Sequence, residues 1–571
     1  MEKRMKMAAI GSVAAIIIIA IVVISAIVEF MTPSKKVMPL TEYYAVSDTE
    51  VLVILQNEIS EKKGLLSEGK VYIDYNTVVE EFNHRFYWDY NENILTYTTP
   101  NEIIQIDAGK SEYSVTKSTI KTQVSTEYPI AKVYADKVYV SLDFVKNYSD
   151  LTFEYFKDPN RVVINYIWDD YLYTEVSKNT QLRVEPNIKS DILVELPVGT
   201  KLMYVDTEEA PKKGFVKVMT NDGIKGYVKK KHTKEAFYET LESSYQAPIY
   251  TSQSRSGKLN MVFHQVFNTD AVNNLESLIG ATKEVNVVLP TWFSISDEMA
   301  NITSVATKAY VEKAGKLGLE VWAVIDDFNA NSNLDMNELL SYTSRREALS
   351  NKLIELALEY KLNGINIDFE KIPSKAGEHY VQFLRELSVK CRNNGIVLSV
   401  DSYVPSAYSE YYDREEQGEI VDYVIVMAYD EHYAGSEVAG PVSSLGFVTD
   451  AVNNILSMVP KEKVVIAIPF YTRLWKETKE GEVTSETLSM TPAMKLIEEN
   501  NLEAKWDDNY GCYYVEFEKD DAIYRMWQEE DKSIEEKMKV IYNADVAGVA
   551  AWKLGLERES IWNVITRYLN K

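Results

Sequence analysis

Beyond Lys258 the chain repeats one pattern eight times: a short apolar run followed by an amphipathic stretch. The runs lie at 261–267, 285–291, 320–325, 364–370, 397–403, 423–429, 464–470 and 546–552. Apolar runs this short, separated by helix-length segments, read as strands buried on both faces of a parallel sheet, and eight such units predict a closed (β/α)8 TIM barrel. The helices carry their own signals. Ser344-Arg345-Arg346-Glu347 has the form of a capping box, Leu349, Leu353, Leu356 and Tyr360 then fall on one face, and Asn363-Gly364 is placed to close that helix. The segment 472–545 is too long for a loop and is expected to be a small α+β insertion with strands around Trp506 and Tyr513.

The fourth run, Gly364-Ile365-Asn366-Ile367-Asp368-Phe369-Glu370, separates its faces cleanly. Alternation puts Asn366, Asp368 and Glu370 on one face and Ile365, Ile367 and Phe369 on the other. In an antiparallel strand the polar face would meet water; in a parallel barrel it meets the interior, where three polar groups need a purpose. Glu370 falls at the C-terminal end of its strand, where barrel active sites lie. Asp368 sits about 7 Å back on the same face. Its charge and partial burial predict a Glu370 protonated near neutral pH and able to donate to a leaving oxygen.

The rest of the chain bounds the setting. At 571 residues it exceeds one hydrophobic core, and roughly three or four units are expected. A net charge of -25, from 61 basic and 86 acidic residues, repels nucleic acid phosphates and anionic lipid headgroups, so no nucleic acid partner is expected. Two cysteines build no disulfide framework. Cys391 shares an apolar helical stripe with Tyr380, Phe383, Leu384 and Leu387, and its pairing with Cys512 is left open. None of the five histidines stands at a metal-ligand spacing to another, so neither a metal nor a cofactor is expected.

Residues 8–28 carry no charge, enough for a helix of roughly 30 Å, so 1–31 is expected to be a cytoplasmic tip and a transmembrane anchor. A cleaved signal peptide competes, but its apolar region is usually about 7–15 residues and no A-x-A-like site follows Ser25. Lys3, Arg4 and Lys6 before the span against Lys35 and Lys36 after it give a small positive-inside bias, placing the remainder outside the cytoplasm at the cell membrane.

In 41–170, Val71-Tyr72-Ile73-Asp74 is echoed by Val138-Tyr139-Val140-Ser141, each followed by a helix-like stretch and then a strand. With Trp88-Asp89 and Leu95-Thr96-Tyr97, this segment resembles the copper amine oxidase N-terminal-like domain, without copper. In 172–233, Leu182 to Asn187, Leu196-Pro197-Val198-Gly199-Thr200 and Gly226-Tyr227-Val228 resemble a bacterial SH3 domain, either a wall-binding module or a spacer.

Residues 255–571 resemble glycoside hydrolase family 18, whose fourth strand reads D-x-x-D-x-D-x-E, and within it the bacterial spore-germination and cortex-lytic branch. Pro290-Thr291-Trp292-Phe293, Met427-Ala428-Tyr429-Asp430-Glu431-His432, Pro469-Phe470-Tyr471 and Ala551-Trp552-Lys553-Leu554-Gly555 carry the match further. The resemblance implies a membrane-anchored glycosidase acting on a polymer containing N-acetylglucosamine, with peptidoglycan favoured over a chitin-like glycan. The substrate's own N-acetyl oxygen would be the nucleophile. Glu370 would be the acid and base, Asp368 the acceptor of the acetamido N–H, Tyr429 the group orienting the acetamido carbonyl and Trp552 the floor under the sugar. Asn366, Met427, Asp430 and Trp292 would complete the substrate site.

Two asparagines depart from the family pattern. Asn366 is expected to donate to Asp368, and Asn363 to serve as a helix cap. A non-catalytic lectin on the same barrel is the rival reading, against which Glu370 stands. Lys553, next to Trp552 in sequence, is expected to face away from the site.

Overall fold

The computed structural model describes residues 1–206 and 212–570. Residues 207–211, inside the 172–233 segment, and Lys571, the end of the 255–571 segment, lie outside the described residues. The chain forms two compact units: Met1–Phe86, Ala108–Ser111 and Thr126–Ala247 in one, and Tyr87–Asp107, Glu112–Ser125 and Pro248–Lys571 in the other.

The first unit opens with a helix over Glu2–Met31 that buries none of its residues and is long and apolar enough to cross a membrane. Behind it are two β-sheets. In the first, the sequence echo becomes a pairing: Lys70–Asp74 runs antiparallel to Lys137–Ser141, with Tyr72 opposite Ser141 and Ile73 opposite Val140. Each strand turns directly into a short helix, Tyr75–Thr77 and Leu142–Lys146. The second sheet has seven strands around a core that includes Leu182, Leu202, Val218 and Val228.

The second unit is built on the barrel. Its strands are β1 (Leu259–His264), β2 (Val287–Ile295), β3 (Glu320–Asp326), β4 (Gly364–Asp368), β5 (Val397–Tyr403), β6 (Tyr423–Met427), β7 (Val464–Pro469) and β8 (Gly548–Trp552). All pair in parallel with their neighbours, and β1 pairs with both β2 and β8, which closes the sheet. The outer helices are α1 (Val272–Gly280), α2 (Lys308–Lys316), α3 (Thr343–Tyr360), α4 (Gly377–Asn394), α5 (Arg414–Ile420), α6 (Leu445–Leu456), α7 (Asp531–Asn543) and α8 (Ser560–Leu569). Between β7 and α7 a five-stranded antiparallel sheet and a helix, Met490–Glu499, close over Leu474, Ala493, Val515 and Met526.

Strand alternation sorts the core into two shells. Ile365, Ile367 and Phe369 join the shell between strands and helices. Met261, Leu289, Trp322, Val324, Tyr423 and Ala467 fill the barrel interior. Gly364 makes room for the largest of them, because a Cβ there would lie 2.7 Å from the Trp322 ring. Cys391 and Cys512 are both buried free thiols, so the open question of their pairing is answered in the negative.

A five-stranded sheet over Tyr87–Asp89, Ile94–Thr98, Ile103–Asp107, Glu112–Thr116 and Lys121–Ser125 completes this unit. It corrects the expected start of α3. The Ser344–Glu347 box is not formed; Asp89 Oδ2 accepts from Thr343 N at 2.6 Å and Glu92 Oε2 from Ser344 N at 2.8 Å. The helix start is therefore capped by carboxylates some 250 residues upstream, which satisfy the donors the local box was expected to satisfy. At the other end Lys361, not Asn363, takes the left-handed cap position, and the Asn363 side chain instead accepts from Val321 N at 3.0 Å.

Candidate active site

The C-terminal ends of the strands surround a cleft of about 230 Å³. Phe263 and Gln265 reach it from β1 and the loop after it, Thr291 from β2, and Asp326, Phe328 and Asn329 from β3 and the loop after it. Asp368 and Glu370 come from β4, Asp401 and Tyr403 from β5, Met427, Tyr429 and Asp430 from β6, and Trp552 from β8.

Glu370 stands two residues past the end of β4 and is held from several sides. Asp327, fully buried at the end of β3, accepts from the backbone N–H of Glu370 at 3.0 Å and of Lys371 at 2.9 Å. Tyr412 donates to the carbonyl of Phe369 at 3.2 Å. The Tyr403 hydroxyl donates to Glu370 Oε2 at 2.7 Å. Burial pushes the Glu370 carboxyl above its ordinary range; the Tyr403 hydrogen bond opposes this, and the charges of Asp430 and Asp326 add to it. Glu370 and Asp368 also act on one another as like charges. Burial also pushes Asp327 up to about 6.

Beneath Glu370 lies a second pair of acids. Burial, then Asp401 and Glu370, hold Asp368 well above the carboxylate range, and burial does the same to Asp401. Asn366 donates from Nδ2 to Asp401 Oδ1 at 3.1 Å and to Ser399 Oγ at 3.0 Å, not to Asp368 as expected. The reason is register: β4 and β5 pair Asn366 with Ser399, which brings the next inward residue of β5 beside the amide. Asp368 Oδ1 is buried and has no hydrogen-bond partner. Asp326 is engaged otherwise, accepting from Ser294 Oγ at 2.8 Å and from the Asn329 backbone and side chain at 2.8 and 2.9 Å. Asp430 accepts from the Tyr471 hydroxyl at 2.6 Å.

A family model described as glycosyl hydrolases family 18 matches residues 237–557, and a copper amine oxidase N-terminal domain model matches 54–164. The chain belongs to glycoside hydrolase family 18. Among its relatives, the cortical fragment-lytic enzyme of Bacillus anthracis is 25% identical over 311 residues, covering 51% of this chain and 70% of that protein. The uncharacterized glycosylase YvbX of Bacillus subtilis is 28% identical over 267 residues, 44% of this chain and 76% of that one. The solved chitinase of Chromobacterium violaceum superposes with a TM-score of 0.50 at 18% identity, over 55% of this chain and all of that one.

In this family 18 hydrolase the cleft brings together Glu370, Asp368, Tyr429, Met427, Asp430 and Trp552 from the residues singled out in the sequence. Two of that set lie elsewhere. Asn366 is fully buried below the cleft, on Asp401. Trp292 is buried in the shell between strands and helices, its ring 5.0 Å from that of Tyr310 and 6.4 Å from that of Tyr360. Alternation along β2 puts Leu289 and Thr291 inward and Trp292 outward, and the register shift after Thr291 turns Phe293 outward as well.

Asp326, Asp327, Asp401 and Tyr403 were not anticipated. Asp326 directly follows the third apolar run, and Asp401 and Tyr403 share one face at the end of the fifth, so polar residues on the inward face near each strand end were the available signal. Lys553 itself does not line the cleft but touches its wall. β8 ends at Trp552, strand alternation no longer governs the next residue, and the Lys553 ammonium donates to Gln265 Oε1 of the cleft wall.

Proposed function

We propose that this glycoside hydrolase is a membrane-anchored enzyme that cleaves peptidoglycan at N-acetylglucosamine by substrate-assisted, retaining catalysis. The observation that carries the reading is Asp368 Oδ1, a buried acceptor without a partner in the wall of the cleft that holds Glu370. A buried polar atom of this kind calls for a ligand donor, and an acetamido N–H supplies one.

On this reading the acetamido oxygen of the bound sugar attacks its own anomeric carbon while Glu370, kept protonated by burial, donates to the departing oxygen. The Glu370 carboxylate left behind then takes a proton from water as that water opens the oxazolinium, which returns the sugar with retained configuration. The acetamido N–H donates to Asp368 Oδ1 as positive charge develops on the oxazolinium. Tyr429 orients the acetamido carbonyl, Trp552 lies under the sugar ring, and Met427 and Asp430 close the wall between them. The Asn366 bonds to Asp401 and Ser399 fix the floor on which Asp368 rests.

Anchoring is supported by the uncharged helix within Glu2–Met31, and wall polymer as substrate by relatives described as cortical fragment-lytic enzymes. The 172–233 segment, read as an SH3-like module, would hold or space the barrel near the wall, with the catalytic unit outside the cytoplasm.

The test is mass spectrometry of products from purified peptidoglycan incubated with the full chain in detergent, beside Glu370→Gln. New N-acetylglucosamine reducing ends from wild type alone support the proposal. Ready turnover of fully deacetylated glycan would overturn the mechanism, and retained binding without any cleavage would make the barrel a lectin.

A further inference from the structure

The cleft is lined with acids, yet a peptidoglycan strand is itself anionic. Asp326 and Asp430 face it beside the proton-holding Asp368, Glu370 and Asp401, on a chain of net charge -25. An anionic polymer would be repelled unless a cation stands where its charged groups pass. One does. Lys553, immediately after Trp552, points its ammonium at Gln265 Oε1, and Gln265 lines the cleft. The ammonium makes no ion pair with a carboxylate among the described residues, and burial lowers its pKa with no acid to offset it. Beside it the Phe267 ring is 77% exposed, its centroid 6.0 Å from the Lys553 nitrogen. The loop that carries Gln265 and Phe267 is tied down where Thr291 Oγ1 accepts from Val266 N at 2.9 Å.

We infer that Lys553, with Gln265 and Phe267, forms a subsite at the β1–β8 edge that binds a carboxylate on the sugar next to the one lying on Trp552. This rests on the proposed cleavage at N-acetylglucosamine. In a strictly alternating polymer both neighbours of that sugar are muramic acid residues. Whichever neighbour passes over the β1–β8 edge therefore brings either a lactyl carboxylate or, where a stem peptide is attached, the carboxylates of that peptide. Chitin offers neither. A half-buried ammonium held by one neutral amide is placed to take such a group, and the exposed ring beside it offers the sugar or the lactyl methyl an apolar surface.

The test compares kcat/KM on glycan strands stripped of peptide, on strands with intact stem peptides and on chitooligosaccharides, using the full chain in detergent. Lys553→Gln is expected to lower the ratio of stripped strands to chitooligosaccharides about tenfold, and Lys553→Arg to keep it. Methyl esterification of the stripped strands should reproduce the loss in wild type, a readout that needs no variant, and leave Lys553→Gln unchanged. A drop confined to intact strands assigns the contact to the stem peptide. A ratio unchanged to within about twofold, with esterification felt equally by both proteins, overturns the inference. Dissociation constants of the same glycans on Glu370→Gln give the ratio without turnover. A shifted binding ratio with no wild-type cleavage would leave the subsite standing and remove the hydrolase reading instead.

Discussion

Two parts of the barrel unit bury charge, and they do it in opposite ways. The helical layer holds buried ions paired with counter-ions: Arg346 with Glu386 at 3.1 Å, Arg385 with Glu416 at 2.7 Å, Lys537 with Glu529 at 2.8 Å. Arg346 is saturated further by Leu340 O, Thr343 Oγ1 and the Tyr87 hydroxyl, with its guanidinium 4.6 Å from the Tyr87 ring centroid. In the cleft, Asp368, Asp401 and Glu370 have other acids as neighbours, and burial holds all three above their usual range. Paired burial ties helices to one another; crowding buried acids together costs stability and is kept where a proton or a ligand is handled.

The contrast can be broken at several points. The largest effect is expected at Glu370→Gln, which keeps shape and removes the proton donor: kcat should fall by about a hundredfold to ten-thousandfold in a reducing-end assay, with glycan affinity retained. Next is Arg346→Met, which strands Glu386 in the helical layer and should cost about 3–5 kcal/mol in denaturant unfolding, while Arg346→Met with Glu386→Met recovers most of the loss.

The cleft should respond with the opposite sign. Asp401→Asn removes one of two crowded acids and is expected to stabilise the fold by about 0.5–2 kcal/mol while lowering activity. The sign follows from linkage: an acid whose folded pKa is raised binds more protons folded than unfolded, so its cost appears as pH climbs from the unfolded to the folded value. The gain in Tm should accordingly be larger at pH 8 than at pH 4, and a loss at pH 8 would contradict the contrast.

The smallest effects are displacements of the alkaline limb of kcat/KM, which reports loss of the Glu370 proton. Tyr403→Phe deletes a hydrogen bond that favours the carboxylate, so the limb should move to higher pH; Asp430→Asn deletes a like charge, so it should move to lower pH. Movement of both in one direction would mean that the limb belongs to another group.

The sequence alone determined the barrel and the polar face of its fourth strand, because a two-residue period and an eight-fold βα alternation are local properties written in neighbouring residues. It could not determine which groups meet across strands. That Asn366 serves Asp401 follows from the β4–β5 register, and that Phe293 joins Trp292 on the helix side follows from an irregularity in the β2–β3 pairing. Asp327 could hold the Glu370 backbone only once β3 and β4 lay side by side. Asp89 could cap α3 only when a strand some 250 residues upstream had docked on the barrel. Such contacts join residues far apart in the chain; their geometry is fixed by packing and register, which no window of sequence contains.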